Sequence, residues 1–383
     1  MAPKSDPEHA RVLEQIRGTE QTHVLDWIEK LEQPARERLF DQLARIDFER
    51  LEIFDELIAN PPGPPSLERV EPAPVIRCPE DGEAEGRERE IISAGEQALR
   101  EDRVATLVVA GGQGTRLGYD GPKGCYPIMP LSQKSLFGVL AAKIAVARRR
   151  YDCQMPWLVM TSPTNDEATR KFFARQNWFG LGRDSVHFFS QNVNPILSPE
   201  GKLLRAEKDR LLVGPDGHGG VFGALCDSGT VDKMIAGGHD LISYFQVDNP
   251  LVNVADPRFL GHHINLKAEF SCKVIPKRDP EEGLGVAVLR HGQPAIVEYI
   301  DLPDEMAEAR DENGKLRYRF GSIAIHIINT EFARAMGRDD DSLPWHVARK
   351  NYEHLNSSGR KKPGESYKFE RFDFDALPHT RAC

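Results

Sequence analysis

Residues 104–123 read VATLVVAGGQGTRLGYDGPK, an apolar, β-branched run that passes directly into Gly111, Gly112 and Gly114. Glycines at the end of a strand let the backbone take positive φ and approach a ligand closely. Consecutive exposed N–H groups in such a turn form a concavity that binds anions. Arg116 and Lys123 add positive charge where a phosphoryl group would sit. Spacing excludes two common phosphate loops. A dinucleotide fingerprint begun at Gly112 needs a glycine at position 117, which is Leu117. A Walker A loop needs Gly-Lys-Ser/Thr, and here Gly118 is followed by Tyr119 and Asp120.

A loop of this kind needs a sheet behind it. Residues 136–149 read as a helix and 157–162 as a buried strand. A second helix is expected at 165–176, capped by Asn165 or Thr164, and a further strand at 186–191. Residues 241–249 read as a strand ending in polar residues, and Asp256-Pro257 opens a helix over 256–266. This alternation predicts an α/β fold with a mostly parallel sheet covered by helices on both faces, its ligands at the carboxyl ends of the strands. Later strands at 269–276, 284–290, 295–300 and 318–328 have no long helices between them and predict an antiparallel extension. Upstream, apolar residues recur at helical intervals over 7–59, which predicts three or four short amphipathic helices. A Pro- and Glu-rich stretch at 61–90 then runs as an extended connector, with a short helix around 90–101. The expected organisation is a helical segment (1–60), a linker (61–90) and one main domain (91–383).

The bulk properties restrict the partners. Fifty basic against 59 acidic side chains give a net charge of −9, which argues against nucleic acid and against an anionic membrane. Six cysteines without a C-x-x-C pair make neither a disulfide framework nor a zinc set and fit a reducing compartment. There is no apolar signal segment and no run long enough to span a bilayer, so the expectation is a cytoplasmic protein.

The full string G-G-x-G-T-R-L-G-x-x-x-P-K resembles the signature of the UDP-sugar pyrophosphorylases. The wider chain is most similar to the eukaryotic-type UDP-N-acetylglucosamine pyrophosphorylases. PKGCYPI (122–128), MTSPTN (160–165), FFSQN (188–192), PDGHGGVFGAL (215–225), FQVDNPLVNVADPRF (245–259), IVEYID (296–301) and KFERFDFD (368–375) follow in the order that family shows. The resemblance implies a Rossmann-like, GT-A-like nucleotidyltransferase that joins UTP to a sugar 1-phosphate and releases pyrophosphate with the help of Mg²⁺. It implies N-acetylglucosamine 1-phosphate as the sugar, with glucose 1-phosphate or a broad range as the alternative; the sequence leaves the oligomeric state open, with a monomer favoured. A nucleotide-sugar binder without turnover is the reading from another class.

Residue roles follow from the same resemblance. Gly111, Gly112, Gly114 and Thr115 would wrap the triphosphate, with Arg116 and Lys123 supplying charge. Gln191 would read the uracil edge, whose donor and acceptor suit an amide. Pro215, Gly217 and Gly219 would pack on the uridine, and Asp248 would hold Mg²⁺. Glu298, next to Tyr299, would accept from sugar hydroxyls; Ser322 would line the sugar pocket, and Lys368 would reach the sugar phosphate. Asp375 is a further pocket candidate. Sugar binding would occupy about 265–376. The chain departs from the family at His218 and Phe222, where Asn and Tyr are expected, and at Ser322 and Ile325, where asparagines are expected. The family usually continues into a further C-terminal domain, so the expectation is either a protein that does without it or a truncated sequence.

Overall fold

The structure, a computed structural model, describes residues 7–63, 65–78, 86–356 and 358–383. The chain divides into two compact units, one of Met1–Gly63, Val193–Gly217 and Trp345–Arg371, the other of Pro64–Asn192, His218–Pro344 and Phe372–Cys383.

In the first unit four helices follow one another, α1 (Pro7–Arg17), α2 (His23–Glu29), α3 (Ala35–Leu43) and α4 (Phe48–Ala59). Asp47 caps α4 by accepting from the main-chain N–H groups of Glu49 and Arg50. Their apolar faces bury Val12, Ile16, Val24, Leu39 and Phe54 together with Leu197, Leu203 and Phe369. Phe54 stacks on Phe369 at a centroid distance of 3.9 Å. A long antiparallel hairpin, His346–Leu355 with Lys361–Glu370, brings Phe369 there. Helical spacing foretells the helices, while the hairpin and the short strand pairs at 193–215 are additions made by the structure.

The second unit is built on a nine-stranded mixed sheet. Its strands in chain order are β1 (Val70–Pro72), β2 (Val104–Val109), β3 (Trp157–Thr161), β4 (Val186–Ser190), β5 (Leu241–Gln246), β6 (Phe270–Pro276), β7 (Val286–Arg290), β8 (Gln293–Val297) and β9 (Phe320–Asn329). The spatial order is β1-β7-β9-β5-β2-β3-β4, with β6 on β9 and β8 on β7. Parallel pairing is confined to β5, β2, β3 and β4, the strands joined through helices, and the other pairings are antiparallel. Of the connector at 61–90, Val70–Pro72 pairs with β7, and residues 79–85 lie outside the described residues.

Helices cover both faces of this sheet. On one, α5 (Arg87–Arg100), α6 (Leu136–Tyr151) and a later helix, Pro257–Asn265, share a core with Val104, Val108, Trp157 and Phe245. The alternate residues Ala105, Leu107, Leu158 and Tyr244 face a second core with Val221, Phe222 and Phe332. Burial on both faces explains why β2 and β3 read as continuous apolar runs rather than alternating ones. Among the described residues no helix is long and apolar enough to cross a membrane.

Candidate active site

Register aligns the carboxyl ends of the parallel strands. Val109 pairs with Met160 and Gln246, and Thr161 with Ser190, so Gly111, Ser162, Gln191 and Asp248 all emerge along one edge. Ladder-like bonds continue past the strands, from Ala110 N to Met160 O, Gln191 N to Thr161 O and Val247 N to Val109 O.

The glycine turn is held rather than loose. Gly114 N donates to Gly121 O at 2.8 Å, and Lys123 N to Gly112 O at 3.0 Å, closing residues 112–123 into a compact loop. The expectation of positive φ at Gly111, Gly112 and Gly114 is corrected: the left-handed positions in this stretch are Gly118 and Gly121. Close approach constrains Gly111 and Gly114 instead, whereas a Cβ on Gly112 would make only an ordinary 3.7 Å contact with Lys123. A Cβ on Gly111 would lie 2.8 Å from Gln191 Oε1, and one on Gly114 would lie 2.9 Å from the Tyr119 ring. Gly112, Thr115 and Arg116 are exposed on this loop.

Two residues that the sequence reading did not place in the site clamp this turn. Asn165 Nδ2 donates to Ala110 O at 2.9 Å and Gly112 O at 3.3 Å, while its Oδ1 accepts from Ser162 N. Ser162 Oγ donates to Gly111 O at 2.8 Å. Asn165 stands at the N-cap position of the helix Asp166–Arg175 but makes no side-chain cap bond, its Oδ1 accepting from Ser162 N instead. The MTSPTN segment carried the signal, since buried Ser and Asn at a strand end must find main-chain partners.

Across the edge, Lys123 Nζ lies 2.9 Å from Asp248 Oδ2. Lys123 stands in a one-turn helix, Lys123–Cys125, and Asp248 in the turn just past β5. No group of three or more His, Cys, Asp or Glu able to hold a metal exists among the described residues. A lone carboxylate suits a hard cation that arrives with phosphate oxygens and water as its other ligands.

Gln191 is buried against Gly111. Glu298 follows β8 and is half-buried, 3.2 Å from where a Cβ on Gly285 would stand. Ser322 lies on β9, its main-chain N–H bonded to Gly285 O. Ile325 packs into the hydrophobic core, so it offers a ligand no hydrogen bond. Pro215, Gly217 and Lys368 belong to the first unit. There Lys368 is 9% exposed, packs along Gly214 and pairs with Glu370 at 2.5 Å.

Gly219, buried, shares a tight turn with His218. His218 Nδ1 is 3.2 Å from Asp373 Oδ2 and 3.1 Å from the Asp373 main-chain nitrogen. It donates to the first when protonated and accepts from the second when neutral. Asp373 is buried, with His326 Nε2 3.7 Å from its other oxygen and Tyr244 beside it. Burial works against the Asp373 carboxylate, but the charges of His218 and His326 hold its pKa below the usual range. His326 is pushed down to about 4 by burial, and His218, despite burial, is raised by Asp373, Glu298 and Asp375. Asp373 is thus neutralised by His218, the residue standing where an asparagine was expected.

Residues 76–360 match the family described as UTP–glucose-1-phosphate uridylyltransferase. UDP-N-acetylglucosamine diphosphorylase 2 of Arabidopsis thaliana is 33% identical over 99% of this chain and 78% of its own length. UDP-N-acetylhexosamine pyrophosphorylase-like protein 1 of Xenopus tropicalis is 34% identical over 97% of this chain and 73% of its own. Among solved structures, the uridine diphosphate N-acetylglucosamine pyrophosphorylase of Trypanosoma brucei matches with a TM-score of 0.80 and 28% identity, covering 98% of this chain and 76% of that one. The UDP-glucose phosphorylase of Trypanosoma brucei, at 17% identity and a TM-score of 0.70, shares the fold.

Proposed function

Because the chain belongs to the UTP–glucose-1-phosphate uridylyltransferase family, we propose that it transfers a uridylyl group from UTP to a sugar 1-phosphate, with N-acetylglucosamine 1-phosphate as the sugar. The observation that carries this reading is the closed glycine turn at the carboxyl edge of the parallel strands, with Lys123 and Asp248 paired beside it and Gln191 resting on Gly111. In the reaction a phosphate oxygen of the sugar attacks the α-phosphorus of UTP, and the bond to the departing pyrophosphate breaks. The attacking oxygen is already ionised at neutral pH, so no general base is required, and the protein's work is positioning and charge stabilisation.

Each residue's part follows from its chemistry. The main-chain N–H groups of Gly111, Gly112 and Thr115 and the charges of Arg116 and Lys123 bind the polyphosphate, while Gly114, its N–H spent on Gly121 O, shapes the turn. Gln191 reads the base with its amide, together with the packing of Pro215, Gly217 and Gly219. Lys368 neutralises the sugar phosphate, and Glu298 and Ser322 bind sugar hydroxyls. Asp248 holds a magnesium ion, which when bound neutralises phosphate charge. The six cysteines are free thiols, which supports a cytoplasmic setting, and we take the working state as a monomer.

A second reading, glucose 1-phosphate or a broad sugar range, is favoured by Ile325, whose burial in the core leaves no side-chain donor at that position. One assay separates the readings: UTP, Mg²⁺ and a panel of sugar 1-phosphates, with pyrophosphate release measured. Preference for the N-acetylated sugar supports the first reading, preference for glucose 1-phosphate the second, and no release with any sugar overturns both.

A further inference from the structure

The pairing of Lys123 with Asp248 raises a question of support. A lysine that turns toward phosphate must let go of its carboxylate, and Asp248 must then be held by something else. β5 ends at Gln246, and its last ladder-like bond, Val247 N to Val109 O, stops one residue short of Asp248. Among the described residues the turn that follows is tied within itself by Asn249 N to Gln246 O, Leu251 N to Asn249 Oδ1 and Val252 N to Asn249 O.

Beyond Asp248, helix α6 supplies a tie from outside the turn. Lys143 Nζ donates to Pro250 O at 2.6 Å and to Val252 O at 2.7 Å. The ammonium is half-buried, with its pKa pushed down by burial, and no carboxylate pairs with it among the described residues. Main-chain carbonyls are its partners, and a partly buried cation without a counter-ion is costly to keep. The first turn of the same helix holds the other side of the pair. Phe137 packs so tightly under Gly124 that a Cβ there would fall 2.1 Å from the ring. Ser135 Oγ fixes the start of the helix by accepting from Gly138 N at 3.0 Å. One rigid element therefore bears on the turn carrying Lys123 through Phe137 and on the turn carrying Asp248 through Lys143.

We propose that Lys143 is a positioning residue for uridylyl transfer: by gripping the carbonyls of Pro250 and Val252 it keeps Asp248 in place when Lys123 leaves it for phosphate. This rests on the function proposed above and assigns the duty to a residue whose ammonium is bonded to main-chain carbonyls. Its loss leaves the glycine turn intact, because Asn165 and Ser162 hold that turn from the other side.

The test compares wild type with Lys143→Met, which keeps the length of the side chain but cannot donate, and Lys143→Arg, which can. Amide hydrogen exchange over 247–252 in the ligand-free protein reads the grip without turnover, and magnesium titrations of turnover and of UTP binding read its consequence. In Lys143→Met, exchange over 247–252 is expected to rise while that over 110–123 does not. We also expect turnover to fall about 10- to 100-fold with little change in KM for UTP, and the magnesium midpoint to rise by roughly 5-fold or more. Lys143→Arg restores part of both. Unchanged exchange over 247–252, or a loss of turnover with an unmoved magnesium midpoint, overturns the proposal. Absence of pyrophosphate release in the wild type overturns the proposed function instead, and the exchange result still decides whether Lys143 grips the loop.

Discussion

Lys123 and Asp248 are 125 residues apart in the chain and 2.9 Å apart in space, in the segments that follow the adjacent strands β2 and β5. Both side chains are partly exposed, and such a pair stabilises a fold by no more than about 1 kcal/mol. Its meaning lies elsewhere. The carboxylate keeps the lysine extended along the edge where a polyphosphate would lie, and either group is released at low cost when phosphate or a cation competes for it.

Lys123→Ala is therefore expected to reduce turnover by about 10²- to 10³-fold with the melting temperature nearly unchanged. Steady-state kinetics and a thermal scan on the same preparation check this. Near-normal turnover removes Lys123 from the mechanism.

Asp248→Asn keeps the shape of the side chain and discards its charge. Turnover should lose its response to magnesium, and chelation by EDTA, expected to abolish wild-type activity, should change the variant little. A magnesium titration identical to that of the wild type would count against the assignment.

Asn165 ties three main-chain groups of the glycine turn and its neighbour. Asn165→Ala removes those bonds, Gly112 O alone keeping a partner in Lys123 N, at a cost of about 1–3 kcal/mol in stability. KM for UTP should rise as well, because the turn loses its shape. Chemical denaturation gives the first quantity and initial rates the second. A variant that is destabilised but binds UTP as the wild type does would make Asn165 purely structural.

Gly111→Ala places a methyl group 2.8 Å from Gln191 Oε1 and must displace that amide. The selectivity for UTP over CTP is expected to narrow, by about 10-fold for one misplaced hydrogen-bonding pair. Competition between the two nucleotides measures it. Undiminished selectivity removes Gln191 from base reading.

The buried group formed by Asp373, His218 and His326 predicts a stability maximum near neutral pH. His326 has a folded-state pKa of about 4, below its unfolded value, so the unfolded chain takes up the proton first. Stability falls as pH drops from about 6.5 to 4, by up to about 3 kcal/mol. His218 is raised, so its contribution is complete below the unfolded value and is lost as pH rises through the folded one. Asp373, held low, contributes above the ordinary carboxylate range and loses that only in stronger acid. His326→Phe retains a ring between Tyr244 and Phe270 and should flatten the acid limb, whereas Asp373→Asn should flatten the alkaline one. Melting temperatures from pH 4 to 9 decide it, and an acid limb unchanged in His326→Phe refutes the assignment.

What the amino-acid sequence determined by itself is local. Apolar runs, helical spacing, the Asp256-Pro257 start and the glycine turn depend on residues a few positions apart, where backbone sterics and burial leave a recognisable pattern. The order of motifs likewise carries the family. Tertiary structure decided what those residues do for one another. Strand register, set by side chains buried on both faces, brings Asp248 to Lys123 and Asn165 to Gly112. It also made Gly111 and Gly114 necessary through the side chains pressed against them rather than through their dihedral angles. The pairing of His218 with Asp373 and the reach of Lys143 to Pro250 join positions more than 100 residues apart. Such pairings leave no periodic trace in a single sequence, because only the closing of the sheet brings the partners together.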